Sequence, residues 1–84
     1  MAALCTYCGS TRKPHNDHVR AKKNGGVTTV IACAKCNQSK GAKQLMVWFR
    51  WVKRNDPYRW NRVVVHNSKK RSSIAAKVRR IHKE

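Results

Sequence analysis

The spacing of apolar and polar positions changes character near residue 42. Before it the segments are short and turn-rich. Residues 11–14 read as a loop, residues 17–20 as a short extended segment, and Lys22-Lys23-Asn24-Gly25-Gly26 as a turn whose glycines permit positive φ. Residues 27–32 alternate Val27/Thr29/Ile31 against Thr28/Val30/Ala32 and are β-branched at five consecutive positions, which predicts a half-buried strand. Beyond residue 42 the period is helical. Leu45, Met46, Trp48, Phe49 and Val52 predict a helix with one apolar stripe, read as core, and the helix stops at Asn55-Asp56-Pro57 because the residue before proline avoids helical geometry. A mostly helical, basic stretch follows Pro57, with Tyr58, Trp60, Val63, Val64 and Val65 as its apolar positions and a break at residues 67–71. Residues 72–83 predict a last amphipathic helix, with Ser72 or Ser73 as N-cap and Ile74, Val78 and Ile81 on one face.

The chain has 84 residues, enough for one small domain with a modest core, and domains of this size usually need a staple. Cysteine spacing supplies it. Cys5/Cys8 and Cys33/Cys36 are two Cys-x-x-Cys pairs, the spacing of a structural zinc site rather than of a disulfide framework. The expected fold is a small α+β zinc-stapled domain. Residues 1–44 form its metal-braced core, and residues 45–84 a basic helical extension packed as part of the same domain. No segment reads as a secretory signal or approaches the roughly 20 apolar residues of a membrane span. A reducing, cytoplasmic setting is therefore expected, in which thiolates hold zinc.

Charge adds the partner. There are 20 Lys and Arg against 3 Asp and Glu, a formal net charge of +17, which predicts a polyanion and above all nucleic acid. Basic residues occur in both halves. Arg20, Lys22, Lys23 and Lys43 in the first, and Lys77, Arg79 and Arg80 on the last helix, are the candidate DNA contacts. His66 and His82 lie in basic helical segments and are read as surface residues. Trp51 falls off the main stripe and is the tryptophan best placed for a base or sugar.

Against this background Asp17 is conspicuous as the only acidic residue before Asp56, and it is followed directly by His18. Phosphodiester hydrolysis needs a base for water, a divalent cation and stabilisation of the leaving oxygen. His18 is a candidate base, since imidazole is largely neutral near pH 7. Asp17 and the side-chain oxygen of Asn37, which adjoins Cys36, are candidate ligands for one catalytic divalent cation, Mg²⁺ or Mn²⁺. In a regular strand Asp17 and His18 point to opposite faces, so a twist, a bulge or a strand-end position is expected there.

At these residues the chain resembles the HNH family of nucleases, whose core is a ββα-metal (His-Me finger) unit. The matching pattern is Cys5-x-x-Cys8, then Asp17-His18-Val19, Gly25-Gly26, the strand at 27–32, and Cys33-Ala34-Lys35-Cys36-Asn37-Gln38-Ser39-Lys40-Gly41. The resemblance covers residues 5–41. It implies that Asp17 and Asn37 hold the catalytic metal, that His18 is the general base, that Lys40 neutralises phosphate, and that metal-dependent cleavage of double-stranded DNA leaves a 5′-phosphate and a 3′-hydroxyl. Thr28 stands where the family has an Asn or His that orients the base, and the family's proline soon after Asp-His is replaced by Arg20-Ala21-Lys22. His15, three residues before His18, is a secondary phosphate-contact or metal-approach candidate.

A non-catalytic zinc DNA-binding module and a small basic RNA-binding protein of ribosomal type also combine zinc knuckles with Lys and Arg. Neither needs Asp17, His18 and Asn37 together. A monomer with one site would nick DNA and a homodimer could cut both strands.

Overall fold

The β-branched run forms the second strand of a hairpin whose end is also the start of the first helix. A computed structural model describes residues 4–20 and 27–84, apart from the side chains of residues 18–20, 27 and 28. Its elements are β1 (Pro14–Arg20), β2 (Val27–Cys33), α1 (Ala34–Lys40), α2 (Leu45–Asn55), α3 (Pro57–Asn67) and α4 (Ser73–His82). The two strands pair antiparallel and α1 packs against both. The first strand begins earlier than its composition suggests, at Pro14, because β2 offers an unbroken ladder from Val27 to Cys33 for it to pair with. The expected Gly-Gly turn lies outside the described residues.

The helical half departs from the sequence reading in one respect. Ahead of the helix that the stripe from Leu45 predicts stands a separate short one, because Gly41 takes φ +53 and its N–H bonds back to the Asn37 carbonyl, closing α1 after two turns. The other boundaries follow local chemistry. Asp56 accepts from the Arg59 N–H and caps α3 with Pro57 in its first turn, and the Ser72 hydroxyl accepts from the Ala75 N–H to cap α4.

Leu45, Trp48, Phe49 and Val52 of α2, Trp60 and Val63 of α3, and Ile74, Val78 and Ile81 of α4 are buried together. The last helix folds back on α2 instead of projecting: Lys53 Nζ donates to the carbonyl oxygens of Ile81 and Glu84, and Arg50 grips the Glu84 carboxylate with two hydrogen bonds of 3.0 and 2.9 Å. The helices share their core with the cysteine loop through Tyr7, fully buried with its ring 5.0 Å from that of Trp48. Asn67 ties the same loop to α3, donating from Nδ2 to the Tyr7 and Val63 carbonyls.

Gly9 stands at this junction with φ +77, and a Cβ built on it would lie 2.6 Å from His66 Nδ1. His66 is therefore not the surface histidine its basic neighbours suggest. It is half-buried against Gly9, and burial followed by the nearby Lys70 charge moves its pKa below the usual imidazole value. Gly9→Ala should lose stability on two counts, about 1–2 kcal/mol for the left-handed backbone and more for displacing the ring. For a domain of this size each kcal/mol lowers the melting temperature by about 4–8 °C, and an unchanged thermal midpoint would show that the loop adapts freely.

Candidate metal centre

Each Cys-x-x-Cys turn places two sulfurs side by side, and the hairpin brings the pairs together. Thr6 N–H donates to the Ile31 carbonyl at 2.7 Å, laying the first loop along β2. The Cys8 N–H points to Cys5 Sγ at 3.5 Å, and the Cys36 N–H to Cys33 Sγ at 3.4 Å, so both turns have the same shape. Cys33 ends β2 and is also the N-cap of α1.

All four Sγ atoms lie within 4.8 Å of one another, and Cys8 Sγ and Cys33 Sγ are 3.6 Å apart. Four thiolates at about 2.3 Å from one tetrahedral zinc sit about 3.8 Å apart, so the cluster has the size and the soft donor set that a structural Zn²⁺ requires. The thiols left to themselves are mismatched. A hydrogen bond from Cys36 lowers the Cys5 thiol to about 4, the corresponding donation raises Cys36, and burial raises Cys8. A bound cation would favour the thiolate form that metal ligation needs.

A residue that the sequence reading passed over completes this centre. Arg59 of α3 donates from Nη1 to Cys36 Sγ at 3.1 Å and from Nε to Asp56 Oδ2 at 3.3 Å. Burial opposes the guanidinium charge, but Cys36 and then Asp56 outweigh it and raise the Arg59 pKa. The first turn of α3 thereby lays a positive charge on a sulfur that would be a zinc thiolate.

The second cluster centres on Asp17, which β1 carries beneath α1 at 4% exposure. The Tyr7 hydroxyl donates to Asp17 Oδ2 at 2.6 Å, and Lys40 Nζ lies 3.4 Å from the same oxygen. Burial, then the bond to Asp17, pushes the Tyr7 pKa up, so the hydroxyl keeps the proton it donates. Tyr7 falls between Cys5 and Cys8, so the knuckle that presents the sulfurs also delivers this phenol.

Comparison with protein-family models, with curated proteins and with solved structures yields no match.

Cys5, Cys8, Cys33 and Cys36 converge. Asp17 reaches α1, the helix that carries Asn37 half-buried one turn before Lys40. Lys40, expected to neutralise phosphate, is withdrawn from solvent at 4% exposure and faces Asp17. Asp17 and Asn37 offer the hard oxygens that Mg²⁺ or Mn²⁺ prefers, but an ammonium at Asp17 Oδ2 occupies the place of a cation, so this arrangement does not itself fit a bound divalent ion. His15 is exposed on β1 opposite Ala32. His18 pairs with Thr29 and Val19 with Thr28 in a one-to-one ladder toward the end of β1, so of the twist, bulge or strand-end position expected there the register shows no bulge, while the side chains of His18, Arg20 and Thr28 lie outside the described part. Lys22 and Lys23 lie outside the described residues altogether.

Among the other expected DNA contacts, Arg79 is turned inward. Its Nη1 donates to the Asn67 and Lys70 carbonyls at 3.2 and 2.7 Å, capping the end of α3. Arg80 is exposed and Lys77 half-exposed on α4. Lys43 donates to the Ser39 carbonyl and lies 5.5 Å from the ring centroid of Trp51, which is 41% exposed. No helix among the described residues is long and apolar enough to cross a membrane.

Two outcomes test this centre. Arg59→Met should weaken zinc binding by about 10–100-fold in competition with a chelator, with Arg59→Lys in between, because a charge held against a ligand sulfur is lost while the Asp56 cap remains. Tyr7→Phe should cost about 1–3 kcal/mol in chemical denaturation by removing a donor from a buried carboxylate, and a neutral result would mean that Lys40 alone satisfies Asp17.

Proposed function

We propose that the protein is a zinc-stapled, divalent-metal-dependent DNA endonuclease of the ββα-metal type. The observation that carries this reading is the order of parts around Asp17. A β-hairpin runs directly into a helix, the acid on its first strand reaches the helix that bears Asn37, and four cysteines close the unit. The resemblance of residues 5–41 to HNH nucleases supports it independently of charge.

In this reading His18, as neutral imidazole, takes the proton of the attacking water and so raises its nucleophilicity at phosphorus. The zinc cluster has no part in the chemistry and holds the hairpin and α1 in one frame. Asp17 and Asn37 would be the residues to hold a divalent ion, which would supply charge neutralisation at the scissile phosphate. Asp17 can take part only if Lys40 moves off Oδ2, so the reading carries a conformational requirement at that one pair. DNA is the partner that the net charge of +17 favours.

The same pair favours a second reading. A carboxylate already buried and matched by Tyr7 and Lys40 is complete as a structural element, as a non-catalytic zinc DNA-binding module would have it.

Supercoiled plasmid separates the two. The nuclease should nick or linearise it with Mg²⁺ or Mn²⁺, and His18→Ala should slow cleavage by about 10²–10⁴-fold while leaving plasmid binding intact. Cleavage by His18→Ala at the parental rate would remove the general-base assignment, and plasmid retarded but uncut with either metal would favour the binding module.

A further inference from the structure

The expected DNA contacts left one face of the molecule out of account. Between the loop after Cys8 and the outer face of α3 runs an open groove of about 630 Å³, lined by Ser10, Thr11 and Arg12 on one side and Asn61, Arg62 and Val65 on the other. Cys8 and Gly9 also line it, and His66 rests on Gly9. None of its lining residues is acidic.

We infer that this groove seats one phosphodiester strand of duplex DNA, with Arg12 and Arg62 as its phosphate contacts and the exposed Tyr58–Val65 face of α3 against the sugars. The inference rests on the DNA reading above and gives it a surface.

Three features of the groove carry it. Its loop wall is held before any ligand arrives: Cys5 N–H donates to the Ser10 carbonyl, Gly9 N–H to the Cys5 carbonyl, and Arg12 N–H to Ser10 Oγ. A fixed wall spares the ordering cost that a mobile lysine tail would meet on binding. Along the helix wall, Tyr58, Arg62 and Val65 fall at i, i+4 and i+7. Tyr58 and Val65 are 73% and 65% exposed, and the Arg62 guanidinium lies 4.9 Å from the Tyr58 ring centroid. An arginine steadied on an aromatic face beside hydroxyl and amide donors suits a phosphate flanked by sugars.

Charge selects the same occupant. The three acids of the chain are each matched to a cation elsewhere: Asp17 to Lys40, Asp56 to Arg59 and Glu84 to Arg50. Arg59 and Arg79 are spent on internal acceptors, whereas Arg12 and Arg62 are exposed.

The test is binding of a fluorescein-labelled duplex across a salt series, without divalent cation and without chelator, by the zinc-loaded parent, Arg12→Ala, Arg62→Ala and the double variant. Each single change should reduce the slope of log affinity against log salt by about 0.9, the double by about twice that, at unchanged zinc content and helical circular dichroism. A parental slope in the double variant overturns the groove, as does tighter binding of poly-glutamate or of single-stranded RNA than of duplex. The outcomes separate from the nuclease reading: groove-dependent binding with uncut plasmid sinks cleavage alone, and metal-dependent cutting with a parental slope in the double variant sinks the groove alone.

Discussion

Four sulfur atoms within 4.8 Å of one another join the opening loop, the end of β2 and the start of α1, segments that a small core would not hold in register unaided. The cluster could hold a cation, and the free energy of binding that cation would then become free energy of folding. The dependence spreads outward. Tyr7, lodged between two of the cysteines, supplies a ring to the helical core through Trp48 and Phe49 and a hydroxyl to Asp17. Arg59 returns the link from the helical side by reaching Cys36. The hairpin and the helices are thus wired together at the sulfur cluster, not merely joined in sequence.

Charge imposes the second constraint. With a net charge of +17 the molecule repels itself, and each of its three carboxylates sits against a cation. Asp56 caps α3 and steadies Arg59, and Glu84 fastens the end of α4 to α2. Asp17 alone is buried, where desolvation offsets much of what an ion pair gains, so its pairing with Lys40 is tolerable chiefly because Tyr7 adds a short hydrogen bond to the same oxygen. That arrangement defines the chemical question the molecule poses. The oxygen that a metal-dependent nuclease would use is the oxygen that the fold already employs, and the lysine beside it decides between the two uses.

What the residues reveal in order along the chain is local. The alternation at 27–32, the helical stripe from Leu45, the Asp56-Pro57 boundary, the Ser72 cap and the doubled cysteine spacing each depend on neighbours within a few positions, and each has its counterpart in the folded chain. The split between α1 and α2 escaped because Gly41 can continue or end a helix, and only the chain path chose φ +53. The remaining differences concern side chains whose partners are far away in sequence. Lys40, by the family resemblance, and Arg79, by its place on a basic helix, are expected to contact phosphate, yet packing turns one toward Asp17 and the other toward the carbonyls of Asn67 and Lys70. Tyr7 and Arg59 carried no signal of their own, since a tyrosine between cysteines or an arginine after a proline has no preferred partner until three segments meet. Sequence therefore determined most of the elements, the paired cysteines that could hold a metal and the excess of positive charge, which follow from residue type and short spacing. Tertiary structure decided which charges are consumed internally and which face the groove, because burial and pairing are properties of the assembled surfaces and not of any residue alone.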